Sequence, residues 1–147
     1  MEVHRIHGAA YGIFDTMGSA LYSGRWHTRG SRLIYAAQHI SLAALEVLVH
    51  AGGRKFPPKV LTSIQLPDDI AIEAARPMKL AESQNFGDLW LEQARSAILR
   101  VPSVAVNNLE YNYLLNPAHP DFKRISHKRE EIFAFDVRLL FSDAQAL

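Results

Sequence analysis

Short apolar runs separated by turn residues dominate the chain, and few of them last long enough for a long helix. Residues 3–6 (Val-His-Arg-Ile) predict a first strand. Residues 11–32 hold many Gly, Ser and Thr without a sustained period, which predicts loop or turn. Residues 33–36 (Leu-Ile-Tyr-Ala) form a short apolar run that fits a buried strand. A helix is expected from a cap at Ser41 to His50, with Leu42, Leu45 and Val49 sharing one face. Ala51-Gly52-Gly53 supplies the glycine that ends such a helix.

Residues 60–66 predict a strand, stopped by Pro67-Asp68-Asp69, and residues 70–72 a brief further pairing. Residues 77–84 carry no clear period. Residues 86–97 predict a second helix, with Leu89 and Gln93 near one side and Trp90 and Ala94 beside them. Residues 98–101 and 104–106 read as strands around Pro102-Ser103. Residues 107–120, rich in Asn and Pro, predict irregular chain. Residues 132–139 predict a last strand, with Phe133, Phe135 and Val137 alternating against Ala134, Asp136 and Arg138. Short strands with two helices point to an α+β fold rather than a regularly alternating parallel one. No linker divides two cores, so one domain is expected over residues 1–147.

Composition narrows the classes. Hydrophobic residues make up 48% and charged residues 21%, which argues against a disordered chain. Sixteen basic residues against fifteen acidic ones give a net charge of +1, too little for a protein whose task is coating nucleic acid. With no cysteine, a disulfide scaffold, thiol catalysis and Cys-based zinc sites are excluded. The apolar run 40–49 is too short to span a bilayer and contains Glu46. The start Met-Glu-Val-His-Arg lacks the basic-then-apolar pattern of a leader. The expectation is a cytoplasmic protein with no membrane partner.

Several residues invite chemistry. Glu46 falls on the border of the predicted helix's apolar stripe, where a carboxylate is either half-buried or faces a cleft. His50, four residues on, shares its face. That pair reads either as a rim ion pair or as a catalytic carboxylate with an orienting imidazole. In Tyr22-Ser23-Gly24-Arg25-Trp26-His27, Arg25 offers a planar fork suited to phosphate or carboxylate, and Gly24 allows a close backbone approach. Arg5 and Arg32 are further guanidinium candidates. Ser103 lacks the surroundings of a hydrolase nucleophile and reads better as a hydrogen bonder. The Asn and Pro residues from Asn112 to Pro120 are explained by turn chemistry. His4 and His7 would face opposite sides of a strand, no His-Glu-x-x-His occurs, and no metal is expected. No glycine-rich phosphate loop is present. Residues 123–131 mix both charges and read as a solvated segment.

In this order, the segments resemble the RES-domain family, named for an arginine, a glutamate and a serine. The resemblance rests on Val3-His4-Arg5-Ile6, Ser23-Gly24-Arg25-Trp26-His27, Leu33-Ile34-Tyr35-Ala36-Ala37, and Ala44-Leu45-Glu46-Val47-Leu48-Val49-His50. It continues through Leu66-Pro67-Asp68, Gly87-Asp88-Leu89-Trp90, Arg100-Val101-Pro102-Ser103 and the run from Glu110 to Pro120, and ends with Phe135-Asp136-Val137-Arg138-Leu139-Leu140. One departure stands out: the family commonly has Gly-Gly-Arg-Trp-Asn where this chain has Ser23 and His27.

The resemblance implies an ADP-ribosyltransferase-like fold, with a split, mostly antiparallel sheet and an NAD cleft between its halves. It implies a toxin of a type II toxin–antitoxin module that consumes NAD as substrate, by hydrolysis or phosphorolysis, and arrests growth. The alternatives are transfer of ADP-ribose to a cellular protein, and a non-catalytic antitoxin-binding module. The implied partner is an Xre-type helix-turn-helix antitoxin, through which alone DNA is contacted, with a toxin homodimer inside the complex. By the same resemblance Arg25 holds pyrophosphate, Arg5 is a second arginine near the cleft and Tyr35 is a pocket tyrosine. Glu46 is the catalytic carboxylate and Ser103 the family serine. His50 and Asn116 are expected as supporting site residues.

Overall fold

The computed structural model describes residues 1–140; the single domain expected over residues 1–147 therefore includes residues 141–147, which lie outside the described residues. Seven strands form one sheet: β1 (Glu2–Gly8), β2 (Ile34–Ala37), β3 (Lys59–Gln65), β4 (Ile72–Ala74), β5 (Ile98–Pro102), β6 (Tyr111–Leu115) and β7 (Ser126–Phe133). Their order is β4-β5-β6-β2-β1-β3-β7, and every pairing is antiparallel except β4 with β5. Three α-helices, α1 (Met17–Leu21), α2 (Ile40–Ala51) and α3 (Leu80–Glu92), complete the frame.

The sheet is split. β1 and β2 share a single register pair, His4 with Ala37, whereas β1 and β3 pair along seven positions. The chain thus forms a β1-β3-β7 half and a β4-β5-β6-β2 half that diverge from that contact. Strand alternation sorts the core onto two sides. Val3, Ile34, Ala36, Ile64, Tyr113 and Leu115 pack on one side. On the other, α2 brings Leu42 and Ala43 onto Ile6, Ala37 and Leu61. Beside it α3 brings Trp90 onto Leu99, Val101 and Leu114. Both long helices therefore cover the same face, one over each half, and a seam runs between them.

Several expectations need correction. Helix α2 begins at Ile40 with His39 in the cap position, and Ser41 caps nothing. Leu45 and Val49 are exposed while Leu42, Ala43 and Ala51 are buried. The helix is apolar on nearly every side, so its period did not single out the inner face. Gly52 ends it in the left-handed region, φ 58°, as expected. α3 starts six residues before the expected Phe86 and ends at Glu92, because Ala94 adopts φ 47° and turns the chain. Residues 104–106 are a 3-10 turn rather than a strand, since Asn107 and Asn108 take left-handed φ values of 57° and 61° and reverse the chain from β5 into β6.

The largest surprise is β6, which crosses the centre of the sheet within a segment expected to be irregular. Its own residues, Tyr-Asn-Tyr-Leu-Leu, favour a strand; the Asn and Pro on either side mask it. The final strand also shifts: β7 takes in most of the solvated segment, ends at Phe133, and gives way to a 3-10 turn at Val137–Leu139. β7 is an edge strand broken by a bulge, where Arg129 adopts φ 58° and the register to β3 shifts between Thr62 and Ser63.

Candidate active site

The site grows from the end of β5. Alternation continues past Pro102, so Ser103 lies on the helix-bearing face with Leu99 and Val101. Its backbone is pinned: its N–H donates to the Glu110 carbonyl (2.9 Å), and its carbonyl accepts from the N–H of Asn108 (2.8 Å). Ser103 is 1% exposed, and its hydroxyl donates to Glu46 Oε1 at 2.9 Å. Glu46 projects from the middle of α2 and is half-buried. The rigid serine thus fixes one carboxylate oxygen of a side chain whose other oxygen is left for the cleft.

The opposite wall is the loop of residues 24–31, held by α3. Ser83 Oγ donates to the Arg25 carbonyl (2.6 Å) and Gln84 Nε2 to the Gly24 carbonyl (2.9 Å). Asp88 accepts from the Thr28 N–H (3.0 Å), the Thr28 hydroxyl and the Ser31 hydroxyl (2.8 Å). Gly87 lets the loop come this close: a Cβ there would sit 1.7 Å from the Trp26 carbonyl oxygen. Trp26 is 3% exposed and packs edge-on to Phe86. The loop therefore presents Arg25 on a rigid base. Arg25 is exposed, donates one N–H to the Met78 carbonyl (2.9 Å), and forms no ion pair among the described residues.

Tyr35 joins the two walls. Its hydroxyl accepts the Trp26 N–H (3.2 Å) and lies 2.7 Å from His27 Nδ1. His27 Nε2 faces the carbonyls of Ser19 (3.1 Å) and Tyr22 (2.8 Å), so Nε2 carries the proton and Nδ1 accepts that of Tyr35. A glycine at 24 is required here, because a Cβ would stand 2.7 Å from the His27 ring and 2.8 Å from the Tyr35 oxygen. Burial above all, with the charges of Asp88 and Glu46, pushes the Tyr35 phenol above its ordinary value and keeps it neutral. The hydroxyl is fully engaged in holding the loop, and the ring packs beside the core of Trp26, Leu33 and Leu114.

The remaining expected residues spread out. His50 is exposed and makes no hydrogen bond or ion pair with Glu46; it lines a cavity of about 410 Å³ with Tyr22, Ser23 and Arg54. Arg5 lies on the same side of β1 as Val3, opposite Ile6, and so on the far side of the sheet from α2 and Glu46. Its guanidinium donates to the carbonyls of Ile13 and Asp15, and burial lowers its pKa to about 10 against the charge of Asp15. Asn116 sits beyond the other end of β6 from Ser103, where its Oδ1 accepts the Ala118 N–H (3.0 Å) in a turn. Arg32 is exposed and donates to the Thr16 hydroxyl (3.2 Å). A second cavity, of about 430 Å³, lies along α3 between β4 and Phe86 and contains none of the expected site residues. Among the described residues no cluster of three or more His, Asp or Glu is placed to hold a metal.

One residue of the site escaped the sequence reading. Asn112 stands opposite Ala37 of β2 and Val101 of β5, on the helix-bearing face at the seam between α2 and α3. Tyr35 and Ser103 are its diagonal neighbours, and such diagonals span about 7–8 Å. Turn chemistry accounts for an asparagine in irregular chain, but Asn112 stands in a strand paired on both sides.

Comparison with known proteins agrees with this architecture. The RES domain model matches residues 2–136. A Sphingobium sp. protein described as "Prs ADP-ribosylating toxin" is 37% identical over 136 residues, 84% of either chain. A Photorhabdus laumondii protein described as "Toxin Res" is 36% identical over 134 residues, 84% of this chain and 85% of its own. Among solved structures, the M. tuberculosis MbcT–MbcA toxin–antitoxin complex holds a chain that superposes with a TM-score of 0.73 at 14% identity, covering 90% of this chain and 84% of that one. The fold is α+β and ADP-ribosyltransferase-like, and the chain belongs to the RES-domain family of toxins.

Proposed function

We infer that this toxin of a toxin–antitoxin system acts on NAD, splitting the bond between nicotinamide and ribose in the cleft between α2 and the Arg25 loop. The observation that carries the reading is the 2.9 Å hydrogen bond from the buried Ser103 to Glu46, opposite a rigid loop bearing an unpaired arginine. Breaking the C1′–N bond sends its electron pair to the pyridinium nitrogen, so nicotinamide leaves neutral and positive charge develops on the ribose. A carboxylate fixed beside that carbon stabilises the charge. Ser103 orients Glu46, Arg25 offers its fork to the pyrophosphate, and the Tyr35 ring borders the nicotinamide. His50 lines the cavity at the mouth. Arg5 and Asn116 serve the frame, Arg5 by tying residues 13–15 to β1 and Asn116 by closing the turn after β6.

The ADP-ribosyl group then bonds to the oxygen of water or phosphate, which gives up its proton. The name of the Sphingobium relative favours a second reading, in which a cellular protein is the acceptor. The antitoxin partner is of the Xre type, toxin homodimers stand within the complex, and DNA is met through the antitoxin.

The test is NAD loss by antitoxin-free protein, with and without phosphate, beside Glu46→Gln. Removing a charge aimed at the transition state is expected to cost roughly 10²–10³ in rate. Unchanged turnover in a folded Glu46→Gln protein overturns the mechanism. ADP-ribose or its 1″-phosphate identifies the acceptor; a discrete labelled band in cell extract, with little free product, selects the protein acceptor.

A further inference from the structure

Asn112 is the polar residue at the site to which this mechanism gives no task. It is 7% exposed, and its Oδ1 is buried without a hydrogen-bond partner among the described residues. Its cross-strand neighbours on both sides are apolar, Ala37 and Val101. A buried amide oxygen without a partner in the middle of a sheet weakens the fold, and an apolar side chain of like size would not. A polar group kept at such a place is ready for a partner that the free protein lacks.

Position identifies that partner. Asn112 lies on the diagonal between Ser103, which holds Glu46, and Tyr35, whose hydroxyl is committed to His27. The group leaving from C1′ must lie within a ring's width of Glu46, beside the Tyr35 ring. Polar recognition of that group cannot come from the Tyr35 hydroxyl. We propose that the Asn112 side-chain amide reads the carboxamide of nicotinamide, Oδ1 accepting from its NH₂ and Nδ2 donating to its carbonyl. The proposal rests on the NAD reading above. Two amides meeting edge to edge satisfy both donors and both acceptors, while a nicotinate carboxylate would set two acceptors against each other. The last torsion of an asparagine is broad, so a turn of the amide brings its edge to the seam.

The experiment is calorimetric binding to the full chain in a Glu46→Gln background, to prevent turnover. The probes are NAD, its 3-acetylpyridine analogue, in which methyl replaces the amide NH₂, and ADP-ribose, which lacks the ring. The parent is expected to bind NAD about tenfold or more tightly than the analogue, the scale of one lost buried hydrogen bond. Asn112→Leu is expected to abolish that preference, leave ADP-ribose affinity unchanged, and melt no lower than the parent. If Asn112→Leu or Asn112→Ala keeps the preference, the inference falls while the NAD reading stands. Equal affinity of the parent for NAD and the analogue also sinks it, and needs no variant at Asn112. Failure of the parent to bind either NAD or ADP-ribose removes the NAD reading, and this inference with it.

Discussion

The two walls of the cleft are built on opposite plans. On the α3 side, Ser83, Gln84 and Asp88 hold the backbone and hydroxyls of residues 24–31, and glycines at 24 and 87 allow contacts no other residue would permit. On the α2 side, Glu46 has one serine partner, Asn112 has an orphaned oxygen, and Leu45 and Val49 are exposed. One wall spends its polar groups on itself and is rigid; the other leaves them unsatisfied, at a cost in stability. Strain and unmet hydrogen bonds collect where a ligand is to complete them. Substitutions on the first wall should therefore unfold, and those on the second should inactivate.

Gly87→Ala tests that division most severely. Its Cβ would overlap the backbone carbonyl of Trp26, which no side-chain rotation relieves. The expected loss is about 3 kcal/mol, the upper part of the range for overpacking. Denaturant unfolding should show a clearly lower midpoint, whereas Glu46→Gln, which can still accept from Ser103, should stay within about 1 kcal/mol of the parent. A Gly87→Ala protein with the parent's midpoint would mean that α3 and the loop are not in the contact described. Asp88→Ala comes next. It removes the acceptor of the Thr28 N–H and of two hydroxyls, for an expected loss of roughly 1–3 kcal/mol. Because that change loosens the platform under Arg25, NAD should bind more weakly while kcat changes less. A fall in kcat as deep as that of Glu46→Gln, without lost stability, would erase the distinction between the walls.

How legible each wall was follows from how local its cause is. The α+β class, the glycine end of α2 and most strands follow from runs and turn residues close in sequence. The motif Gly87-Asp88-Leu89-Trp90 is conspicuous in sequence, but its purpose, holding a loop sixty residues earlier, exists only in three dimensions. Glu46 was visible as a carboxylate at the edge of an apolar helix, yet its partner proved to be Ser103 rather than His50. Local spacing suggests the neighbour four residues away; the fold brings one from β5. Arg5 carries the clearest lesson. One residue of strand parity decides which side of the sheet it serves, and a short motif does not encode that parity. Asn112 was hidden for a further reason. The Asn and Pro residues around β6 are genuine turn formers, and only pairing with both β2 and β5 turns the five residues between them into a central strand.

The smallest effect separates both walls from the face of the sheet turned away from them, on which His7 lies with Val3. His7 of β1 is buried, with Nδ1 facing the Gly8 carbonyl at 3.2 Å and Nε2 at 3.0 Å from the Thr62 hydroxyl. A carbonyl only accepts, so Nδ1 bears the proton and Nε2 accepts from Thr62, an arrangement complete in the neutral ring. Burial first, then the charge of Arg5, lowers the pKa of His7 below its ordinary 6.5; the Gly8 and Tyr11 carbonyls and Glu130 oppose this. The unfolded chain therefore takes up the proton first as pH falls. The stability that His7 contributes is fully present above its unfolded pKa of about 6.5 and is lost as pH drops from there towards the folded value. Unfolding midpoints measured from pH 8 to pH 5 should decline below neutrality and decline less steeply in His7→Gln. Part of the slope should persist, because burial also lowers the pKa of His4. Asp88→Ala and Glu46→Gln should shift the curve or leave it in place without changing its slope, since both residues lie on the opposite face of the sheet from His7. A slope that His7→Gln leaves untouched would move the acid sensitivity away from His7. One that Asp88→Ala flattens would place it in the α3 wall.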